Sequence, residues 1–410
     1  MPKQKIYAII YDVVWCFGAL NRKILLINTN RQKTKEKKMK FKKIMAVAAA
    51  SMMLCSMTAC GNNTSSTTST TNNANTGTTN SSATSTTDSN TSSAAESKTE
   101  STAADSSVTT SDTSTATVDL GDKVFNIGIC QLLEHPALDA ATKGFEEALT
   151  EKLGEDHVKF DFQNAQGEAT NCATITNKFV SANVDLIMAN ATAALSSAVS
   201  ATETIPIVGT SITAYDVALG GSDWKGKNVT GASDLAPLDQ QAAMLKAIFP
   251  DAKKVGILYC SAEPNSQYQA EEIAKYFKED GIETKEFTVA DSNEIQAQTQ
   301  AAVNECDVIY IPTDNTIANA AETVKNVVVP AKKPVVAGEE GICSGCGTVT
   351  LSISYHDMGY AAGEMAYDIL VNGKKAGDLE IGYSPVTKKY NKEICDELGI
   401  TVPSDYTAIE

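Results

Sequence analysis

The chain has 410 residues, too many for one ordinary domain. Lys and Arg number 34 against 50 Asp and Glu, and the first 59 residues take 12 of those bases and 2 of the acids, which leaves 22 bases facing 48 acids. A body that acidic repels phosphate backbones and excludes nucleic acid as a partner. No arginine follows Arg31, so no bidentate guanidinium clamp holds whatever the folded part binds.

The chain begins with an address. Lys40, Lys42 and Lys43 precede an apolar run over residues 44–57, which ends in Met57-Thr58-Ala59-Cys60-Gly61. A basic flank, a short apolar segment and small residues at a cleavage point make a secretory signal peptide, whereas a membrane-spanning helix takes about 20 apolar residues. The Cys60 context resembles a bacterial lipobox, which implies lipidation of Cys60 and anchoring of the mature protein to the outside of the cell membrane. Met39 reads as a better start than Met1, so residues 1–59 are expected to be an upstream extension plus signal peptide. Residues 62–118 contain 41 Ser, Thr or Asn in 57 positions. Such a stretch buries too little apolar surface to offset its ordering entropy, so residues 60–118 read as an anchor site and disordered tether spanning about 40 Å.

From Lys123 onward short apolar runs alternate with stretches of helical period. Strands are expected at 124–130, 158–162, 185–188 and 205–208, with helices at 137–153, 169–181 and 193–202 between them. A second series follows, with strands at 254–259, 284–288, 308–311 and 334–336 and helices at 265–280, 293–304 and 315–329. Alternation of this kind builds parallel sheets covered by helices on both faces. The fold class expected is therefore α/β, with two doubly wound parallel-sheet lobes. Residues 228–234 read as the first crossing between lobes, 348–354 as a strand running back, 356–371 as a helix on the first lobe, and 374–403 as a tail that crosses again. This gives a first lobe of 119–233 plus 353–373 and a second of 234–352 plus 374–410, joined by a three-strand hinge. In doubly wound sheets ligands sit at the carboxyl ends of strands, so two facing lobes place a site in the cleft between them.

Cysteines Cys130, Cys172, Cys260, Cys306 and Cys395 lie singly in mostly apolar contexts, where a thiol is a small core hydrophobe. Cys343-Ser344-Gly345-Cys346 lacks the second pair of a zinc ribbon and reads as a surface loop, with or without a local disulfide. His135, His157 and His356 are not spaced as a metal pair, and neither a Gly-x-Ser-x-Gly elbow nor a Gly-rich phosphate loop is present, so neither an enzyme nor a cofactor is expected.

The expected strand ends are densely polar: Gln131 to Asp139, Asn190-Ala191-Thr192 and Gly209-Thr210-Ser211 in the first lobe, and Ser261 to Ser266, Thr313 to Thr316 and Gly338 to Gly341 in the second. The strings at 131–139, 162–167 (FQNAQG), 228–234 (NVTGASD), 253–259 with Asn265-Ser266, and 312–316 (PTDNT) resemble, in order, the tryptophan/tyrosine-type substrate-binding proteins of bacterial ABC importers. The resemblance runs from about Val124 to Pro403 and implies the type I periplasmic-binding-protein fold. It further implies a monomer that captures a small solute for a membrane permease and its ATPase. The chain departs from that pattern at Ala214-Tyr215, where Asp-Pro is usual, and at Leu351 to Tyr355.

An α-amino acid with an aromatic or other large apolar side chain is the expected ligand. Its carboxylate, without an arginine, needs hydroxyls and helix N-termini, which selects Thr192, Thr210 and Ser211. Its ammonium needs acceptors, for which Glu134, Asp314 and Glu339 stand ready, supported by Asn315 and Ser233. Gln131, His135, Asp234, Ser261, Asn265, Ser266 and Thr313 complete the expected lining, and Tyr355 is preferred over Tyr215, Trp224 and Tyr268 as a stacking partner. Helix capping is the lesser alternative for Asp314 and Asn315, and a scaffold bond an equal one for His135. Burying an aromatic side chain is worth roughly 4–6 kcal/mol, short of the roughly 8 kcal/mol of a micromolar site, so the charged ends must contribute. A nucleoside or sugar ligand stays open, as does a sensor that docks to a receptor instead of a permease.

Overall fold

The computed structural model describes residues 120–409. The signal peptide, Cys60 and the tether lie outside the described residues.

The first half opens with β1 (Phe125–Gln131), whose apolar side chains are buried on both faces. Helix α1 (Pro136–Leu153) follows, started by a proline at its first position, where no N–H is needed, and ended at Gly154 with φ 90°. Then come β2 (Val158–Asn164), α2 (Ala169–Ala182), β3 (Leu186–Asn190), α3 (Thr192–Ala201), β4 (Ile207–Thr210), the short α4 (Tyr215–Ala218) and β5 (Val229–Ser233). Gly128 on β1 leaves room for the Phe179 ring of α2, since a Cβ there would lie 2.6 Å from it.

The chain then enters the second half through residues 234–237 and builds α5 (Leu238–Ile248), β6 (Lys254–Cys260), α6 (Pro264–Glu279), β7 (Glu283–Val289), α7 (Ile295–Glu305), β8 (Val308–Ile311), α8 (Asn315–Ala318), α9 (Ala321–Val328), β9 (Val335–Ala337), α10 (Glu340–Cys346) and β10 (Val349–Ser352). It returns to the first half as α11 (Tyr355–Leu370) and β11 (Gly382–Tyr383). It ends in the second half as β12 (Thr387–Tyr390), α12 (Lys392–Leu398) and β13 (Thr407–Ala408).

The first sheet runs β11-β5-β4-β3-β1-β2 and the second β13-β12-β10-β9-β8-β6-β7. All pairings are parallel except β10 with β12, which is antiparallel because the tail re-enters the second sheet from the hinge side. Each sheet is covered on both faces by apolar clusters. The α/β class with two wound sheets is as expected.

Three details differ from the sequence reading. The segment expected as the first crossing is β5 itself, hydrogen-bonded to β4, and the crossing follows it at 234–237. The returning chain stays with the first sheet through Tyr383, which pairs with Ser233, so the last crossing lies at 384–386 and not after residue 373. Cys343 and Cys346 lie fully buried on helix α10 as free thiols, not on a surface loop; glycines misled the reading, because Gly345 serves close packing, its absent Cβ leaving space for that of Ala321 at 2.5 Å.

Candidate ligand-binding site

The site starts from one row of the first sheet. Gln131 on β1 is in register with Asn164 on β2 and Asn190 on β3, and Asn190 with Thr210 on β4. Four adjacent strands thus end on a polar residue at the same level, the carboxyl edge where ligands gather in doubly wound folds. Gln131 is consumed within the framework: its Nε2 donates to Asp139 Oδ1 at 2.6 Å, and its Oε1 accepts from Thr142 Oγ1 at 2.6 Å. Asn190 donates to Leu138 O at 2.8 Å and Thr142 Oγ1 at 3.0 Å, which turns its own carbonyl away from the network.

That carbonyl has no partner. Asn190 Oδ1, Thr210 Oγ1, Ser211 Oγ and Asp234 Oδ1 are all buried without a hydrogen bond. A buried polar atom left unpaired costs about 1–3 kcal/mol, so four of them at the ends of β3, β4 and β5 mark a place where the fold sacrifices stability. Backbone strain coincides with them. Ala191 has φ 84° and ψ 160°, a conformation favoured only by glycine, and Ser211 has φ 57°. Ala191 forms no side-chain cap on α3, so the N–H groups of its first turn, led by the buried Thr192, remain available to a negative group.

Asp234 begins the first crossing. Its Oδ2 accepts from Tyr355 Oη at 3.1 Å, and burial pushes its carboxyl up to about 6 against the pull of the Thr213 and Tyr355 hydroxyls. Tyr355 starts α11 directly after residues 353–354, the second crossing, so its hydroxyl ties the chain's return to the start of the first crossing. Ser233 secures this corner, donating to Thr213 O at 3.2 Å and accepting from Leu235 N at 3.2 Å.

Other expected residues serve the framework. Asp314 caps α8, accepting from Ile317 N at 2.8 Å and, through its other oxygen, from Cys260 N at 2.7 Å. Burial and the neighbouring Glu263 charge raise its pKa. Glu339 caps α10 by accepting from Gly341 N and Ile342 N, with burial raising its carboxyl to about 7. Both carboxylates, expected to meet an ammonium, are thus turned onto backbone. Asn265 and Ser266 both donate to Thr313 O and fix that loop. Glu134 is exposed, and so is Ser261, whose hydroxyl reaches only Val289 O. Among the other aromatic candidates, Tyr215 is buried with its ring against Trp224 at 5.2 Å, and Tyr268 on α6 is partly exposed.

The lobes touch across the cleft. His135 Nε2 lies 3.3 Å from Asn315 Oδ1, and burial lowers the histidine's pKa despite the pull of Asn315, Asp139 and Glu263. Beside this bridge is a cavity of ≈ 380 Å³ lined from the first half by Leu132, Leu133 and Ala193 and from the second by Cys260, Pro264 and Asn315. Sequence reasoning passed over two residues here. Asn190 was legible as a polar end to an apolar strand. Glu263, which holds Asn315, carried no local signal, because its partners are 52 and 53 positions away.

Two wound lobes on three crossings, with unpaired polar atoms where the lobes meet, define a hinged solute-binding protein. The chain belongs to the ABC transporter substrate-binding protein family, whose model matches residues 126–408. It is 39% identical over 260 residues to a tyrosine-binding protein of Clostridioides difficile (strain R20291), covering 62% of this chain and 75% of that one. A crystal structure of an ABC domain from Streptococcus pneumonia in complex with L-Trp is 34% identical, with TM-score 0.67 over 70% of this chain and all of that one. The ligand-free, open structure of a substrate binding protein with adhesive properties from Clostridium difficile, also 34% identical, gives TM-score 0.56 over 70% of this chain and 99% of that one. The fold is the type I periplasmic-binding-protein fold, and the family binds solutes and is not enzymatic. Such proteins work outside the cytoplasm; among the described residues, no helix is long and apolar enough to cross a membrane.

Proposed function

We propose that the protein captures a free α-amino acid with an aromatic or large apolar side chain and delivers it to an ABC permease. The carrying observation is the set of unpaired buried atoms along β3, β4 and the first crossing. They suit a zwitterion. Asp234 Oδ1 accepts from the ammonium, while the Thr210 and Ser211 hydroxyls and the uncapped α3 N-terminus donate to the carboxylate. Asn190 Oδ1 is a further acceptor for the ammonium. The side chain occupies the ≈ 380 Å³ cavity beside Leu132, Leu133, Ala193 and Pro264. The tyrosine-binding relative and the L-Trp complex support the aromatic class.

Delivery follows from closure. A solute that contacts both lobes only when they are shut favours the shut form by its differential affinity, and a permease reads that form. Lipidated Cys60 and the tether keep the domain near the membrane, with permease and ATPase subunits as partners and the chain acting as a monomer. The test is a thermal-shift screen of the folded body against all amino acids, nucleosides and sugars. Tyrosine or tryptophan at 100 times its Kd should stabilise by about 2.7 kcal/mol. A response to sugars or nucleosides and none to amino acids would overturn the ligand class.

A further inference from the structure

We infer that Glu263 is a positioning residue for lobe closure: it fixes the Asn315 amide so that its oxygen faces His135, and the His135–Asn315 bond is the latch that holds the cleft shut. The inference goes beyond the identity of the solute and rests on the reading that the cleft traps one.

The chemistry fixes the orientation. A carboxylate only accepts, and Glu263 Oε2 lies 2.7 Å from the Asn315 side-chain nitrogen and 3.1 Å from its backbone N. The amide N–H₂ must therefore face Glu263, leaving Oδ1 to face His135 at 3.3 Å. An amide oxygen only accepts, so His135 donates from Nε2. Glu263 is itself held by donors alone: Thr316 N at 2.8 Å, Thr316 Oγ1 at 2.7 Å and Asn265 Nδ2 at 3.2 Å. Glu263 occupies the N-cap position of α6, yet its side chain caps none of that helix's backbone N–H groups and meets only the Asn265 side chain there. It reaches instead to α8, a four-residue helix that Asp314 already caps. Burial lowers the His135 pKa, against the pull of Asn315, Asp139 and Glu263 beside it.

Opening the cleft breaks the latch, whereas a solute enters before the latch has formed. Losing one such bond therefore speeds dissociation about tenfold and leaves association within about twofold. The test uses the full chain with ¹⁵N-labelled histidine, whose three ring systems give a simple spectrum assigned through His135→Phe. His135 is expected as the Nε2–H tautomer in the wild type, and Glu263→Gln should mix the tautomers. Stopped-flow release of L-tyrosine or L-tryptophan should accelerate in both Glu263→Gln and His135→Phe. An Nδ1–H tautomer in the wild type, or unchanged release from both variants, overturns the latch. If neither amino acid binds the wild type, the amino-acid reading falls while the tautomer still decides this one.

Discussion

At the scale of single residues, the cleft holds groups that harm the empty protein. Thr210 Oγ1 is buried and unpaired, so Thr210→Val should stabilise the solute-free chain by about 1 kcal/mol while weakening solute binding about tenfold. Chemical denaturation and calorimetric titration give the two numbers; a loss of stability with unchanged binding would show that the hydroxyl serves only the fold. Asp234 makes a second case. Its carboxyl ordinarily titrates at 3.8, and burial raises it to about 6, so the folded state holds its proton more tightly than the unfolded state. The folded state binds more protons between those values. The stability that this protonation supplies is complete below pH 3.8 and is lost as pH rises through 6, about 3 kcal/mol in all. Asp234→Asn should therefore gain stability relative to the wild type as pH climbs from 4 to 7. An ammonium needs the ionised form, so solute affinity should fall as pH drops below about 6, with proton release on binding measurable in buffers of different ionisation enthalpy. Flat affinity from pH 5 to 8 would remove Asp234 from the ammonium role.

Among the secondary-structure elements, the tightest contact joins α1 to α11, which carries the chain back from the second half. A Cβ on Gly359 would stand 1.9 Å from Ala141 O, and one on Gly144 would stand 2.1 Å from His356 O, so the two helix backbones touch where the glycines lie. Gly359→Ala should cost about 3 kcal/mol in denaturant unfolding. A near-neutral result would mean that the helices can separate without loss. The thiols form another element-level feature. The seven described cysteines of the folded body are free and buried, so a reducing agent should leave its melting temperature unchanged. A drop on reduction would reveal a bond between Cys343 and Cys346 or another pair. The region expected as one helix over 315–329 divides at Asn319 and Ala320, because α8 is anchored separately by Asp314 and Glu263.

For the whole molecule, function depends on three short crossings at 234–237, 353–354 and 384–386. Two of them are flanked by site residues: Asp234 opens the first and Tyr355 closes the second, bonded to each other at 3.1 Å. A solute that engages Asp234 thus acts where hinge torsions are set, and few residues absorb a large rotation. Saturating tyrosine or tryptophan should leave small-angle scattering profiles consistent with the closed arrangement and remove any open population. The expectation fails if a binding solute leaves the solute-free profile of an open mixture unchanged.

Alternating strands and helices, the two wound sheets and the polar character of the strand ends are legible in the amino-acid letters, because period and composition are local properties. The polar ends of those strands, Gln131, Asn190 and Thr210 among them, are legible there too, but their alignment in one row comes from the strand register. The work of each polar group is set by how distant segments pack. Asp314 and Glu339 look like ligand acids in a string of letters, yet their oxygens turn onto neighbouring N–H groups, while Asp234 keeps an oxygen without a partner. Glu263 gained its place through a helix more than 50 positions away. A capping carboxylate and a binding carboxylate are the same residue type. What separates them is which donors the fold brings within about 3 Å, and that distance is set by packing between distant segments.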